Sequence, residues 1–272
     1  MRAYETYAET LRRGLGVPHL VTRTIDSTNR LARTVIDNDG AARDPWRPCW
    51  LVAFEQQAGR GRLGRHWTSQ AGTGIYATLL VELTSWDPRR ISVLPLLVGT
   101  ATAQALRSPV AGTPRGNEIR LKWPNDVVVS GRKLGGILIE SVEREGRRFG
   151  IVGIGINHGH GPEDLPDPRA TSLRLVYSGA GVELPSLGDT TVGLCRGVTD
   201  AVENPQDDEQ VLETYRGLSA HRPGDQLSWS SHEGPVDGRF VEIDRDGAIV
   251  LETDYGRRRV SSGDVVQVSS GD

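Results

Sequence analysis

The residues with the clearest chemical potential lie between Gly59 and Trp67: Gly-Arg-Gly-Arg-Leu-Gly-Arg-His-Trp. Glycine lets backbone N–H groups approach a ligand closely and tolerates positive φ. Arg60, Arg62 and Arg65 each bring a planar, permanently charged fork that suits phosphate and carboxylate oxygens. The pattern predicts a loop that cradles an anion. The alternative is a solvated basic loop, or a Gly/Arg tail that touches RNA. The run sits between the apolar stretch Trp50–Phe54 and the aromatic Trp67, inside a folded region, which favours the cradle. It lacks the Gly-Lys-Ser/Thr ending of a Walker loop, and arginines fill positions where a dinucleotide fingerprint needs small residues.

Other polar groups fall at the ends of predicted strands: Ser27, Thr28 and Asn29; Gln56; Lys122, Asn125 and Asp126; Lys133; Asn157. One residue of 26–29 would serve as a helix N-cap. Four short polar residues in a row exceed that need, so Ser27 and Thr28 are expected to face a ligand. The set is cationic, with Asp126 its one carboxylate, and holds no Ser-His-Asp or Cys-His nucleophile. His66 neighbours arginines that disfavour its charged form, so packing or capping is expected of it. His158 and His160 have no third metal ligand nearby and read as a solvated loop pair. Such a site suits chemistry done by positioning and charge neutralisation, with phosphoryl or nucleotidyl transfer the prime case. Asp126 would hold magnesium or accept a proton from an incoming amine.

These groups need elements to carry them. Residues 4–15 read as an amphipathic helix, and His19–Ile25 as a strand followed by a helix with Leu31, Ala32, Val35 and Ile36 at helical spacing. Residues 37–48 read as a polar turn. Trp50–Phe54, Ile75–Leu83 and Ile119–Trp123 resuming at Val127–Val129 read as strands, and the stretch from Lys133 to Val142 as a lysine, two glycines and then a strand. Residues 149–157 alternate glycine with Ile and Val; glycine within a strand signals close approach of a backbone or ligand, although plain alternation explains the isoleucines equally. Helices are expected at 92–106, 190–202 and 209–218. Beyond a break near residues 219–223 come short strands at 226–229, 236–243, 248–252 and 257–260, with Asp246-Gly247 as a hairpin signal. The order argues for an α+β fold with a mixed sheet, plus a small all-β barrel. The expected divisions are an extension at 1–18, a catalytic domain at 19–220 and a C-terminal domain at 221–272.

A chain of 272 residues with 37% hydrophobic and 25% charged content is expected to be soluble and globular. A net charge of -3 gives no global drive toward nucleic acid or anionic membrane. Cys49 and Cys195 are too few for a disulfide framework; buried thiols and a cytoplasmic location are expected. The most apolar window, 91–106, is interrupted by Pro95, Gly99, Thr100, Thr102 and Gln104, so no membrane span is expected.

Four segments, Glu55–Trp67, Lys122–Asp126, Lys133–Leu138 and Gly153–Asn157, resemble in content and order the signature segments of biotin protein ligases; Ser27-Thr28-Asn29 matches a fifth. The resemblance runs from about Leu20 to the C-terminus. It implies a class II synthetase-like catalytic domain with an SH3-like C-terminal barrel. It implies an ATP- and Mg2+-dependent reaction in which biotin becomes biotinyl-5′-AMP and is passed to a lysine of a biotin carboxyl carrier domain of acetyl-CoA carboxylase or a related carboxylase. By motif position, Ser27, Thr28, Asn29, Gln56, Gly59, Arg60, Gly61, Arg62 and Lys133 would meet biotin. Arg60, Arg62, Arg65, Trp67, Lys122, Asn125 and Asn157 would meet ATP or the adenylate. Lys133, Arg62 and Asp126 would carry the catalysis, Asp126 with the metal, and residues 170–173 would form a loop over the adenylate. Leu63 departs from members that have another arginine there. The segment before residue 19 has no room for a helix-turn-helix domain, so DNA binding is not implied; a monomer or weak homodimer is expected. A lipoate or octanoate ligase is the rival enzyme, disfavoured by the arginine cradle and the C-terminal barrel. A non-enzymatic nucleic-acid binder is disfavoured by the acidic net charge.

Overall fold

The order of elements along the chain already separates two sheets. The structure, a computed structural model, describes residues 1–39, 47–165, 167–204, 206–231 and 234–267. In order it contains α1 (Arg2–Gly14), β1 (His19–Thr22), α2 (Thr28–Asp39), β2 (Cys49–Ala53), β3 (Gly74–Glu82), α3 (Pro88–Arg107), α4 (Pro114–Glu118), β4 (Ile119–Lys122), β5 (Asp126–Val129), β6 (Arg132–Arg144) and β7 (Arg147–Asn157). Then come α5 (Leu173–Ala180), α6 (Leu187–Glu203), α7 (Asp208–Leu218), β8 (Gln226–Ser231), β9 (Gly234–Ile243), β10 (Ile249–Thr253), β11 (Gly256–Val260) and β12 (Val265–Gln267). The first seven strands form one sheet, ordered β1-β2-β3-β7-β6-β5-β4. β1 and β2 are parallel and the other neighbours antiparallel, so the sheet is mixed, as the α+β reading requires.

Strand alternation decides what each face carries. On β7, Val152, Ile154 and Ile156 point into the main core with Trp50, Leu79, Val81 and residues of α3 and α6. Phe149 and Ile151 point the other way, against Ala32 and Ile36 of α2. Gly153, Gly155 and Asn157 share that second side, where Asn29 of α2 reaches over Gly153. The alternating glycines thus leave half of the strand without side chains on the face opposite the core.

The C-terminal strands form a five-stranded antiparallel sheet in the order β11-β10-β9-β8-β12, with β11 and β12 at its edges. Leu227, Phe240, Ile249, Leu251 and Val265 of this sheet belong to the same buried cluster as the main core. Trp123 Nε1 donates to Gly247 O at 3.0 Å across the junction. Ala220 N donates to Leu121 O at 2.8 Å, fastening the connection after α7 to β4.

Several elements differ from the sequence reading. α2 continues through residues 37–39, where a turn was expected; residues 40–46 of that expected turn lie outside the described residues. α3 begins at Pro88 because Asp87 caps it, its side chain accepting from Arg89 N. α5 was not expected; Ser172 caps it and Gly181 ends it at φ 68°. β12 was also not expected, since three residues hold too little alternation to read. Among the described residues no helix is long and apolar enough to cross a membrane. Both cysteines are buried and unbridged, as expected.

Candidate active site

The cradle is a closed hairpin. Gly61 N donates to Arg65 O at 2.7 Å and Trp67 N to Gly59 O at 2.9 Å. Its tip turns through Leu63 at φ 55°, ψ 33° and Gly64 at φ 73°. Leucine in the left-handed region is uncommon and costs conformational energy; its side chain stays 71% exposed. Gly59 is required for closure, because a Cβ there would strike the Trp67 carbonyl and sit 2.7 Å from Ser69 Oγ.

Trp67 folds back flat over the sheet. A Cβ on Gly155 would lie 2.7 Å from the indole Cε2, and one on Gly136 would lie 3.6 Å from Cζ3. Gly136 and Gly155 are register partners on β6 and β7. The close approach foreseen for the β7 glycines is therefore made by side chains: Trp67 over Gly155, and Asn29 Oδ1 against Gly153. The indole N–H is buried with no hydrogen-bond partner.

A cavity of ≈ 660 Å³ opens between this hairpin, the glycine-bearing face of the sheet and β12. Ser27, Thr28, Asn29, Gln56, Arg60, Gly61, Arg62, Arg65, Trp67, Lys122, Asn125, Asp126, Lys133 and Asn157 all line it. Of the expected site residues only Gly59 does not, being buried behind the hairpin. The structure thus brings together segments far apart in the chain.

The polar groups are already tied to one another. Gln56 Oε1 accepts from Thr28 N at 2.9 Å, and Gln56 Nε2 donates to Ser69 Oγ at 2.9 Å. Thr78 Oγ1 donates to Asn29 Oδ1 at 2.7 Å, and Asn29 Nδ2 donates to Glu140 at 2.9 Å, so both ends of the Asn29 amide are engaged within the protein. Asn125 Nδ2 donates to Ile137 O at 2.8 Å while its Oδ1 accepts from Arg62 Nη1 at 3.0 Å. Lys133 Nζ lies 2.6 Å from Asp126 Oδ1 and 5.6 Å from the Trp67 ring centroid. Asn157 Nδ2 donates to Thr171 O at 3.0 Å, linking the end of β7 to the 170–173 loop. That loop is also joined to Lys133, whose backbone N–H donates to Arg169 O at 2.7 Å and whose carbonyl accepts from Thr171 N at 2.8 Å.

Residues that sequence reasoning missed complete the wall. Asp264, just before β12, pairs with Arg65 and lies 3.7 Å from Arg62. Asp167 and Arg169 line the opposite lip, and Val265 and Val266 line the floor of the C-terminal side. Nothing local marks Asp264: it is one acid in a turn, distinguished only by what the fold sets beside it. His66 neither packs nor caps; it is exposed on the cavity wall. The expected solvated pair is likewise corrected. His158 is 4% and His160 1% exposed, bonded to Thr190 Oγ1 at 3.1 Å and Thr73 Oγ1 at 3.0 Å. Burial pushes His158 down to about 4 and lowers His160. Both sit behind Asn157, where Ser172 Oγ donates to His160 O at 2.7 Å, so they buttress the adjoining loop.

Comparison with known proteins gives this geometry its relatives. Residues 21–157 match the model of the biotin/lipoate A/B protein ligase family, and residues 232–267 that of the biotin protein ligase C terminal domain. A biotin–[acetyl-CoA-carboxylase] ligase of Mycobacterium tuberculosis is 32% identical over 231 residues, covering 80% of this chain and 78% of the relative. The bifunctional ligase/repressor BirA of Bacillus subtilis is 29% identical over 252 residues, covering 91% and 73%. The biotin protein ligase of Aquifex aeolicus, solved with biotin and ATP, shares the fold with a TM-score of 0.70 at 24% identity, covering 92% of this chain and 99% of that one. On the extent of the family match and the identity to the mycobacterial ligase, the chain belongs to the biotin/lipoate A/B protein ligase family.

Proposed function

We propose that the chain is a biotin–[acetyl-CoA-carboxylase] ligase. It would form biotinyl-5′-AMP from biotin and ATP, and then pass the biotinyl group to a lysine of a carboxylase's carrier domain. The observation that carries this reading is the convergence of four arginines, two lysines and neutral hydrogen-bonding groups from four separate segments on one cavity. Two anionic reactants repel each other in water. Fixed cations with low reorganisation cost hold them together and meet the charge that develops on the α-phosphate.

Ser27, Thr28 and Gln56 supply the neutral donors and acceptors for the biotin head. Arg60, Arg62 and Arg65 take the phosphates, with Trp67, Lys122, Asn125 and Asn157 around the nucleotide. Lys133 bridges biotin's carboxylate and the α-phosphate, exchanging its Asp126 partner for the reactants. Asp126 is then free to serve the metal or to accept a proton from the incoming amine. Magnesium usually keeps several waters and takes one or two carboxylates plus substrate phosphates. Among the described residues no group of three or more acidic, histidine or cysteine residues could cage a metal. Mg2+ would therefore arrive with ATP, held by its phosphates and Asp126, and would supply charge neutralisation there. Residues 19–220 form the catalytic unit in this reading, and 221–272 a C-terminal unit resembling an SH3-like barrel.

The family model also covers lipoate ligases. The C-terminal match to the biotin ligase domain favours biotin. Radiolabelled biotin and octanoate, each offered with ATP and a carrier domain, decide between them. Transfer of biotin is expected; transfer of octanoate alone would overturn the assignment.

A further inference from the structure

The 32 basic residues of the chain are very unevenly divided: lysine occurs only at 122 and 133, and the remaining thirty are arginine. Both lysines line the cavity. No other residue of this sequence carries an ε-amine, whatever its position in the fold. Arg60, Arg65 and Arg169, which line the cavity, are exposed arginines, and so is Arg132, whose guanidinium donates to Pro168 O at 3.3 Å beside the Asp167–Arg169 lip.

This division matters for an enzyme that makes an acyl-adenylate, and the inference rests on the ligase reading above. An acyl-adenylate is a mixed anhydride. A neutral amine attacks its acyl carbon, a C–N bond forms, the acyl C–O bond to phosphate breaks, and AMP leaves with the electron pair while the amine loses a proton to solvent. Any accessible lysine near the mouth would compete with the carrier for the acyl group. A guanidinium offers the same charge and hydrogen bonds, yet stays protonated and has no lone pair to attack with. Lys133 pairs with Asp126 at 2.6 Å and, in the ligase reading, with the anionic oxygens of the reactants, so its side chain is engaged in either case. Lys122 is half-buried in the cavity wall.

We propose that the confinement of lysine to the cavity leaves the enzyme's own surface inert to its acyl-adenylate, so that the group is kept for an external lysine. The specificity device is thus the absence of competing lysine amines outside the cavity, with arginine retaining the charge that the mouth needs.

The test uses the purified chain with biotin and ATP and no carrier. Pyrophosphate release is followed together with peptide mass spectrometry of the denatured protein, for the wild type, Arg169→Lys and Arg132→Lys. The wild type should release pyrophosphate while any covalent biotin stays confined to the peptide bearing the chain's α-amino group. Each variant should acquire biotin on its introduced lysine, several-fold above any wild-type labelling. Biotin on Lys122 or Lys133 of the wild type overturns the inference. So does normal pyrophosphate release with neither introduced lysine labelled. A wild type that releases no pyrophosphate with biotin overturns the ligase reading itself, and this inference with it.

Discussion

Lys133 is placed by two strands and one ion pair, and its replacement separates chemistry from folding. Its side chain is 40% exposed, so Lys133→Ala removes little packing. Losing a donor that meets developing charge costs ~2.7–4 kcal/mol of barrier, roughly 10²–10³ in rate. Pyrophosphate release should fall by that factor while the denaturant midpoint stays close to wild type; normal release would remove Lys133 from the mechanism. Gly155 makes a different point. It is extended strand, and a Cβ there would lie 2.7 Å from the Trp67 indole. Gly155→Ala must displace the ring or strain the sheet, an overpacking cost of ~1–3 kcal/mol. The expected result is weaker ATP binding, up to about a hundredfold, read by titration of tryptophan fluorescence. Unchanged affinity would mean that Trp67 does not need its present seat to hold nucleotide.

At the level of elements, residues 157–160 and 170–174 work as a strap beside the cavity. His158 and Gly159 both donate their backbone N–H to Thr73 O, at 3.0 and 2.7 Å, and Arg174 N donates to His158 O at 2.9 Å. The two imidazoles fill the space beneath as neutral groups. His158 is pushed by burial from its ordinary 6.5 down to about 4, as is His221 at the junction with β8; His160 moves in the same direction. Below 6.5 the unfolded chain binds protons that the folded chain refuses, so the slope of stability with pH is positive there. This contribution is fully present above 6.5, is lost as pH falls toward 4, and levels off below. His158 and His221 each add at most about 1.4 kcal/mol per pH unit inside that window. Urea midpoints should therefore drop between about pH 7 and about pH 5.5, above the range in which ordinary carboxylates titrate. His158→Gln should make the drop shallower. A midpoint that rises on acidification contradicts the burial of neutral imidazoles.

The molecule as a whole joins its two sheets through the same residues that shape the site. Trp123 precedes the Asn125-Asp126 turn, is 2% exposed, and gives its indole N–H to Gly247 O in the turn between β9 and β10 of the C-terminal sheet. Trp123→Phe leaves that carbonyl without its partner, at a cost of ~1–3 kcal/mol. The denaturant midpoint should fall accordingly, and adenylate formation should fall with it because the turn loses an anchor; a variant of full stability would mean that the junction carries no such weight. Much of this was legible beforehand. The cradle could be read from its composition, since glycine and arginine at that spacing have few structural uses. The strands of the mixed sheet could be read from β-branched, apolar runs whose period is local. Other features had no local signal. α5 and β12 are too short for periodicity to declare itself, and the burial of His158 and His160 depends on what α5 and α6 lay over them. Asp264 pairs with arginines some two hundred positions away, as the bond from Arg62 to Gly263 O at 3.4 Å also does. Local backbone preference and side-chain chemistry act over a few residues, and these the chain's order determined by itself: which groups could bind an anion, and which stretches would be strand or helix. Which of those groups share a cavity, and which carboxylate neutralises the cradle, are matters of distance through space. They were decided only when the packing of two sheets brought remote segments within reach of each other.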